Sequence, residues 1–389
     1  MDESKIIKLE AKLDSFSIKE RQNALDELVS LSKDGKIIFP QSDKRTNMHF
    51  HTFYSYNAEG FSPTKIAWLA KKAGLGVCGV VDFDVIDATD EFYKATAKLG
   101  IKASSGMETR VFIPEFADRE INSPGEPGIA YHMATGLPYG GVAKKFQKQL
   151  SSFKSTAQQR NRSMLEKINA YLSPVIVDYE KDAVPLTPAG NVTERHLCLA
   201  YAKKAAQIYN GSDLIKFWSD KLGQDTGKLD LPDGTKIQGL IRSKIMKQGG
   251  VGYIRPDSNS FPKMKDVNKF ILSIGGIPTL AWLNGLSAGE QAIDELLDIA
   301  VADGVAAVNI IPDRNYTPGK GSTDEKCKKL YEFVEICCRR KLPIIAGTEM
   351  NSPGLKFVDD FDSKELAPLC EEFYKGAMFV YAHTKSIKG

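Results

Sequence analysis

From Thr46 onward, short apolar segments alternate with segments of helical periodicity, and this alternation constrains the fold more than any other feature. Examples are "TNMHFH" followed by "PTKIAWLAKKAG", and "IPTLAWL" followed by "AGEQAIDELLDIAVADG". Repeated βα units predict parallel strands with helices outside, as a barrel or an open sheet. Polar residues end most of the roughly seven predicted strands, which favours a barrel, because barrel sites lie on that rim.

The alternation divides the chain into three parts. Residues 1–45 read as a helical extension, with leucines at helical spacing. Residues 46–139 and 266–389 carry the barrel pattern. Between them, residues 140–265 have helical patterns and few strand signals, so we expect a mainly helical insertion that covers the barrel mouth.

Composition excludes some classes of protein. With 52 basic and 49 acidic residues, the formal charge of +3 gives no reason to expect a nucleic-acid partner, whereas a small anionic metabolite stays open. A charged N-terminus and the lack of an 18-residue apolar run predict a cytoplasmic protein with no membrane partner. The six cysteines lack C-x-x-C spacing and are expected to be reduced thiols. The sequence leaves a homo-oligomer open.

Polar side chains stand at the ends of the predicted strands, and most of them are imidazoles or carboxylates that can bind metals. They are His49 and His51, Asp82 and Asp84, Glu108 and Arg110, His132, and Glu349 with Asn351. Residues i and i+2 of a strand share a face, so the first two imidazoles should point together. Each of these residues could also have a purely structural role. The histidines could be packed in the core, Asp84 could be a helix N-cap, and Glu108 could form an ion pair with Arg110. Their convergence on one mouth is what predicts a metal site.

These segments resemble, in order, the motifs of the polymerase and histidinol phosphatase (PHP) superfamily. The matching segments are "NMHFHT", "AKKAGLGVCGVVDFD", "GMETRV", "HMATG", "GGIPTLAWLNG" and "IIAGTEMN". The resemblance implies a distorted (β/α)7 barrel and a metal-dependent phosphoesterase. It also implies His49, His51, His132 and Glu349 as metal ligands, with Glu108 as the bridging carboxylate.

Four positions depart from the family pattern. Phe83 and Trp282 stand where histidine ligands are expected, Asn351 replaces the final histidine, and Tyr56 lies near an early ligand position. Phe and Trp offer no lone pair to a metal. We therefore expect one or two ions of Zn, Mn or Fe rather than three, with Asp82 and Asp84 as further candidate ligands.

The expected activity is hydrolysis of a small phosphorylated metabolite by metal-activated water. Glu108 would orient the water and Asp82 would accept its proton. Candidate substrate-binding residues are Arg110, Arg160, Arg162, Arg195 and His196. Two alternatives stay open: a metal-dependent hydrolase or lyase acting on an unphosphorylated sugar or amide, and a non-catalytic ligand-binding barrel with a degenerate metal site.

Overall fold

The computed structural model describes residues 3–255, 261–319, 321 and 323–387, and within these residues seven strands form one sheet in sequence order. The strands are β1 (Thr46–Phe50), β2 (Val77–Phe83), β3 (Lys102–Phe112), β4 (Ile129–Thr135), β5 (Ile277–Trp282), β6 (Ala307–Ile310) and β7 (Ile344–Ala346). A bridge between Phe50 and Glu349 joins β1 to the chain just beyond β7, so the sheet nearly closes. The α/β barrel of seven strands is confirmed.

One strand contradicts the expectation of parallel pairing throughout. β4 runs antiparallel to both β3 and β5, whereas the other neighbouring strands pair in parallel. Parallel strands need a crossover connection. Residues 113–128, which join β3 to β4, contain one short 3-10 turn at Pro114–Phe116 and no crossover helix. The chain therefore returns along the neighbouring edge, and β4 reverses.

The helices precede, surround and interrupt the barrel. In the described residues they are α1 (Glu3–Lys12), α2 (Ile18–Lys33), α3 (Pro63–Ala73), α4 (Thr89–Leu99), α5 (Gln147–Leu172), α6 (Glu194–Ile208), α7 (Gly211–Leu222), α8 (Thr235–Ile241), α9 (Met264–Ser273), α10 (Ala288–Gln291), α11 (Ile293–Ala302), α12 (Pro312–Asn315), α13 (Thr323–Arg339) and α14 (Cys370–Ser386). None of the helices found in these residues is long and apolar enough to cross a membrane.

The ends of α3 show how the sequence sets the helix boundaries. Ser62 Oγ accepts a hydrogen bond from the Lys65 backbone N–H, and Pro63 occupies the first turn, where no N–H is needed. Gly74 ends the helix with φ +71°, a conformation that costs glycine little. The helix buries Trp68 completely, with its ring against Phe39 and its Nε1–H donating to Glu10 Oε1 of α1 at 2.8 Å.

The end of the barrel opposite the strand C-termini is closed by α14. Its residues Ala377 and Val380 form an apolar cluster with residues of five strands. Those strand residues are Met48, Val77, Ile277, Ala307 and Ile345. Gly376 permits the close approach, because a Cβ there would lie 1.8 Å from the Ile344 carbonyl oxygen. The opposite end is left for the polar site.

The N-terminal helices are fastened to the barrel helices by a buried ion pair. Arg21 of α2 donates from Nε to Glu91 Oε1 of α4 at 2.8 Å, and its Nη2 pairs with the second oxygen. Thr64 Oγ1 of α3 donates to the same carboxylate at 2.7 Å. A buried ion pair needs this kind of complete hydrogen bonding to offset its lost hydration.

Helices α5–α8 build a hydrophobic core of their own. Its fully buried members include Ile168, Leu197, Tyr201, Trp218 and Ile241. The division into extension, barrel and insertion stays a prediction, and its outer limits at residues 1 and 389 lie outside the described residues. What matters for the site is that α5 and α6 lie beside the C-terminal ends of the strands, where they line a cavity.

Candidate metal centre

His49, His51 and Glu108 bring three donor atoms together at the mouth of the barrel. His51 Nε2 lies 2.9 Å from Glu108 Oε2, His49 Nε2 lies 3.4 Å from the same oxygen, and the two Nε2 atoms are 3.3 Å apart. His49 belongs to β1, His51 follows it directly, and Glu108 lies on β3. All three side chains are buried.

The orientation of His49 is set by a residue of β6. Its Nδ1–H donates to Asn309 Oδ1 at 2.8 Å, and the Asn309 Nδ2 contacts the Ile345 carbonyl oxygen at 3.4 Å. This arrangement assigns the His49 proton to Nδ1. The Nε2 lone pair is therefore directed toward Glu108.

His51 is oriented through a serine and an aspartate. Its Nδ1–H donates to Ser55 Oγ at 3.2 Å, and Ser55 Oγ–H donates to Asp82 Oδ1 at 2.6 Å. Asp82 also accepts from the Thr52 backbone N–H and from Thr52 Oγ1, both at 2.7 Å. Asp82 thus fixes the loop that follows β1 and positions His51 indirectly. These three hydrogen bonds give Asp82 an orienting role, and the direct catalytic role expected of it stays a prediction.

The donor set fits a divalent cation. With both Nδ1 protons committed, the Nε2 lone pairs of the neutral imidazoles face a carboxylate in a buried space, and they repel unless a proton or a metal cation lies between them. Burial raises the pKa of Glu108, but the charge of His49 and hydrogen bonds from the two histidines outweigh it and hold that pKa at about 2. Burial lowers the pKa of His49, yet the Glu108 carboxylate reverses this and raises it. Two imidazoles and one carboxylate are a ligand set used by catalytic zinc.

Glu349 lies beside this cluster rather than within it. Its backbone carbonyl oxygen accepts from the His51 N–H at 2.9 Å, and its Oε2 accepts from Arg314 Nη2 at 2.8 Å. The side chain lines the cavity and contributes to the raised pKa of His49. Its role as a metal ligand stays a prediction.

His132 lies away from the cluster, contrary to the expected ligand role. Its Nε2 hydrogen bonds Asn268 Oδ1 of α9 at 2.5 Å, on the outer side of the sheet. The preceding residue, Tyr131, lines the cavity, so strand alternation turns His132 outward. Burial lowers the pKa of His132 to about 4, which favours the neutral ring. His132 is therefore better described as a buried core histidine that is satisfied by its hydrogen bond to Asn268.

The substituted positions differ in their surroundings. Phe83 stacks on the His51 ring with centroids 4.2 Å apart, so it stands directly beside the cluster. Trp282 stacks on Phe333 of α13 at 4.4 Å and belongs to the outer hydrophobic layer. Tyr56 and Asn351 line the cavity.

A cavity of about 860 Å³ lies between the strand ends and helices α5 and α6. Its walls include Phe83 and Glu349, which border the cluster of His49, His51 and Glu108, and many cationic side chains. The cations are Arg110, Arg160, Arg195, Arg242, Lys247, Lys263 and Arg314. The volume is that of a small-molecule site.

Of the five predicted substrate-binding residues, three line this cavity. Arg110 pairs with Glu126 at 2.5 Å, whereas Arg160 and Arg195 have no ion pair with a carboxylate in the described residues. Arg162 instead pairs with Glu180 and lies over Tyr179. His196 is buried and its Nδ1 accepts the Thr193 N–H in a capping box at the start of α6. The structure therefore does not bring Arg162 or His196 to the cavity.

Arg160 is the least compensated of the cavity cations. Its Nε is buried without a hydrogen-bond partner, and its guanidinium lies over the Phe261 ring. Burial, reinforced by the like charge of Arg110, lowers the pKa of Arg160 to about 10. A buried donor left unpaired is costly, so a ligand that accepts from it gains affinity.

Two residues at the rim hold strained backbone. Asp84 has φ +60° and Glu349 has φ +63°, a region that non-glycine residues rarely adopt. Asp84 also lines the cavity and accepts from Thr109 Oγ1 at 2.6 Å. Strain of this kind concentrates at functional sites.

The sequence reasoning missed the residues that orient the ligands. Asn309 is a polar residue inside the apolar segment "VAAVNIIP", which is a usable signal, because a buried amide in a strand needs a partner. Ser55 lies in the loop after β1 and Arg314 in the short helix α12 after β6, where spacing gives no comparable signal. The cation pair Arg242 and Lys247 was also missed.

No protein-family model and no curated protein matches the chain. Two solved structures share its fold. One is an amidohydrolase from Chromobacterium violaceum with bound sulfate and no metal, at TM-score 0.58 and 16% identity, covering 86% of this chain and 96% of that one. Another, from Bifidobacterium adolescentis and provisionally described as a metal-dependent phosphoesterase, has TM-score 0.55 and 16% identity over 86% and 98% of the two chains. The fold that the sequence resemblance implies is confirmed.

The chain thus has an amidohydrolase- or phosphoesterase-like barrel with a buried His-His-Glu candidate metal site. Identity this low establishes the fold alone. Function has to be argued from the site itself.

Proposed function

We propose that this protein is a metal-dependent hydrolase that cleaves a phosphate ester of a small metabolite. One observation carries the proposal. The donors of His49, His51 and Glu108 converge in a buried cluster beside Phe83 and Glu349. Phe83 and Glu349 line a cavity that also holds two guanidinium groups without carboxylate partners, those of Arg160 and Arg195. A metal site beside uncompensated cations suits an anionic substrate.

The metal-binding residues are His49, His51 and Glu108, with Glu349 proposed as an additional ligand for one or two ions of Zn, Mn or Fe. The chemistry that a divalent ion supplies at such a site is acidification of water and polarisation of a phosphoryl oxygen. Asn309 and the Ser55–Asp82 pair hold the imidazoles in the tautomer that leaves Nε2 free.

Asp84 is better placed than Asp82 to accept a proton from the attacking water. Its side chain lines the cavity, and its backbone N–H donates to the Glu108 carbonyl oxygen at 2.8 Å. Burial raises the pKa of Asp84 above its ordinary value, while Thr109 and nearby arginines oppose that shift. A carboxylate with a raised pKa is a stronger base near neutral pH.

Arg160 and Arg195 are proposed to bind the phosphate oxygens. Guanidinium groups donate in a planar fork that matches a phosphate. The structure of the similar amidohydrolase contains bound sulfate, a tetrahedral anion of the same shape as phosphate.

The test combines metal analysis with turnover. Protein purified without chelators should retain Zn, Mn or Fe and hydrolyse at least one member of a phosphomonoester panel. Glu108→Gln should lose both the metal and the activity, whereas Glu115→Gln, an exposed carboxylate outside the cavity, should change neither. Absence of metal from the purified protein, or failure on every phosphate ester, would refute the phosphoesterase.

The second candidate is hydrolysis of an amide, which the name of the similar amidohydrolase favours. The same site would then polarise a carbonyl oxygen. Turnover of an amide panel, abolished by Glu108→Gln, with no release of phosphate from the esters, would select this activity. Lyase chemistry on a sugar and a non-catalytic barrel are the remaining outcomes, and retained metal without turnover points to them.

A further inference from the structure

A smaller pocket of about 330 Å³ adjoins the main cavity, and we call it the side pocket. Four residues line both spaces, so a ligand in the main cavity has a route into it. The shared residues are Arg195, Arg242, Lys247 and Ser352. The remaining walls include Lys236 and Ser243, from α8 and the turn that follows it.

The side pocket has a strong excess of positive charge. Four cations line it, namely Arg195, Lys236, Arg242 and Lys247, and no Asp or Glu belongs to its described walls. Glu194 accepts from Arg242 Nε at 2.9 Å and from Lys247 Nζ at 2.7 Å. One carboxylate therefore pairs with two of the four cations, and among the described residues Arg195 and Lys236 form no ion pair.

The charges are also partly removed from water, which makes the imbalance costly. Arg195 donates to Ser352 Oγ at 2.6 Å, a neutral acceptor. Burial and the like charge of Arg242 lower the pKa of Arg195, and burial likewise lowers the pKa of Lys247. An anion in the pocket would relieve this repulsion.

We infer that the side pocket binds a second phosphate group of the substrate, separate from the group that is hydrolysed. The inference rests on the proposed function, since it extends the same substrate site. Arg160 lines only the main cavity and Lys236 lines only the side pocket, so each anionic group has a cation of its own, while Arg195 lies between the two spaces. A doubly charged group with three acceptor oxygens suits a cluster of guanidinium and ammonium donors better than a carboxylate does.

The test measures binding and does not depend on turnover. Non-hydrolysable α,ω-alkane bisphosphonates of two to six carbons are titrated calorimetrically into the purified full-length protein. Matching alkyl monophosphonates and ω-carboxyalkyl phosphonates provide the comparison. At least one bisphosphonate should bind about tenfold or more tightly than its monophosphonate, the gain expected for charge-assisted hydrogen bonds.

Two exposed residues allow the pocket to be altered without disturbing a core. Lys236→Gln removes a cation, and Ser243→Glu places a carboxylate in the pocket. Both should abolish most of the bisphosphonate advantage and leave monophosphonate affinity within about twofold. Ser212→Glu, an equal charge change at an exposed position of α7 outside both spaces, should leave the advantage intact.

The outcomes separate this inference from the proposed function. Equal affinity for bisphosphonates and monophosphonates, in a protein that hydrolyses phosphate esters, would overturn the second subsite and leave the activity. Tight bisphosphonate binding that Ser243→Glu weakens, in a protein that hydrolyses none of the esters, would retain the subsite and refute the phosphoesterase. Equal affinity for carboxyalkyl phosphonates would overturn the assignment to phosphate.

Discussion

Replacing Asn309 by Leu should weaken metal binding although Asn309 is not itself a ligand. Asn309 Oδ1 accepts the Nδ1–H of His49 at 2.8 Å, and both side chains are fully buried. Leucine has a similar volume but no acceptor, so the imidazole loses the contact that fixes its tautomer and orientation. The substitution therefore removes orientation while keeping the three proposed ligands.

The expected losses follow from two roles of the His49–Asn309 hydrogen bond, which satisfies a buried donor and orients a metal ligand. A buried donor left without an acceptor costs about 1–3 kcal/mol of unfolding free energy. Loss of a partner that orients a metal ligand typically lowers metal affinity by about 10- to 100-fold. Asn309→Leu should show both losses. Metal affinity is measured by competition with a chelator of known affinity, and stability by denaturant unfolding with excess chelator.

The chain offers a matched control in Asn268→Leu. Asn268 Oδ1 hydrogen bonds the buried ring of His132 at 2.5 Å, the same chemistry at a histidine outside the cluster. This variant should lose comparable stability and keep wild-type metal affinity. If Asn309→Leu retained metal affinity within about twofold, or if both variants lost it equally, orientation of His49 by Asn309 would be refuted.

Three further predictions concern titration, packing and substrate binding. His132 has a folded pKa of about 4 against an ordinary 6.5, so the unfolded state binds more protons between these values. Unfolding free energy should then fall by about 3 kcal/mol on acidification from pH 6.5 to pH 4, and His132→Gln should flatten this slope. Gly376→Ala should cost about 1–3 kcal/mol or more, because its Cβ would meet the Ile344 carbonyl oxygen at 1.8 Å. Arg160→Leu should weaken phosphonate binding by about tenfold, as measured by calorimetry, since it removes the unpaired guanidinium from the cavity.

Each of these has a result that would contradict it. An unchanged slope of stability with pH in His132→Gln would show that this ring does not stay neutral in the fold. Gly239→Ala, where a Cβ meets nothing within 4 Å, should be neutral or stabilising in the same unfolding assay. Equal losses at Gly376 and Gly239 would remove the steric argument. Phosphonate affinity unaffected by Arg160→Leu would place the anion elsewhere.

The alternation of apolar segments was sufficient to predict the barrel, because each βα unit is a local pattern. The direction of β4 is not determined by a local sequence pattern. It depends on whether residues 113–128 form a crossover helix, and this segment instead makes a short turn that returns the chain antiparallel. A loop without periodicity carries no signal for the direction of the strand that follows it.

The three-residue cluster could be predicted because the ligands lie where strand geometry alone determines the face. His49 and His51 are two residues apart, and Glu108 of β3 pairs with Phe83, the last residue of β2. The expected position of His132 in the cluster was wrong because Tyr131, not His132, faces the cavity. Which of the two faces inward depends on the register of β4 with β3. Period-two patterns give the alternation of faces but not which face is inward when both are buried.

The substituted positions do not weaken the site equally. Trp282 packs against Phe333 in the outer layer. The substitution at this position therefore adds apolar packing outside the cluster and leaves no gap among its donors. Phe83 lies against His51 and takes up the space beside it, which limits how many ions can share the Nε2 atoms. The cluster keeps three donors, with Glu349 held close by Arg314. A centre of one or two ions therefore stays our prediction, since three ions would need the donors that Phe83 and Trp282 lack.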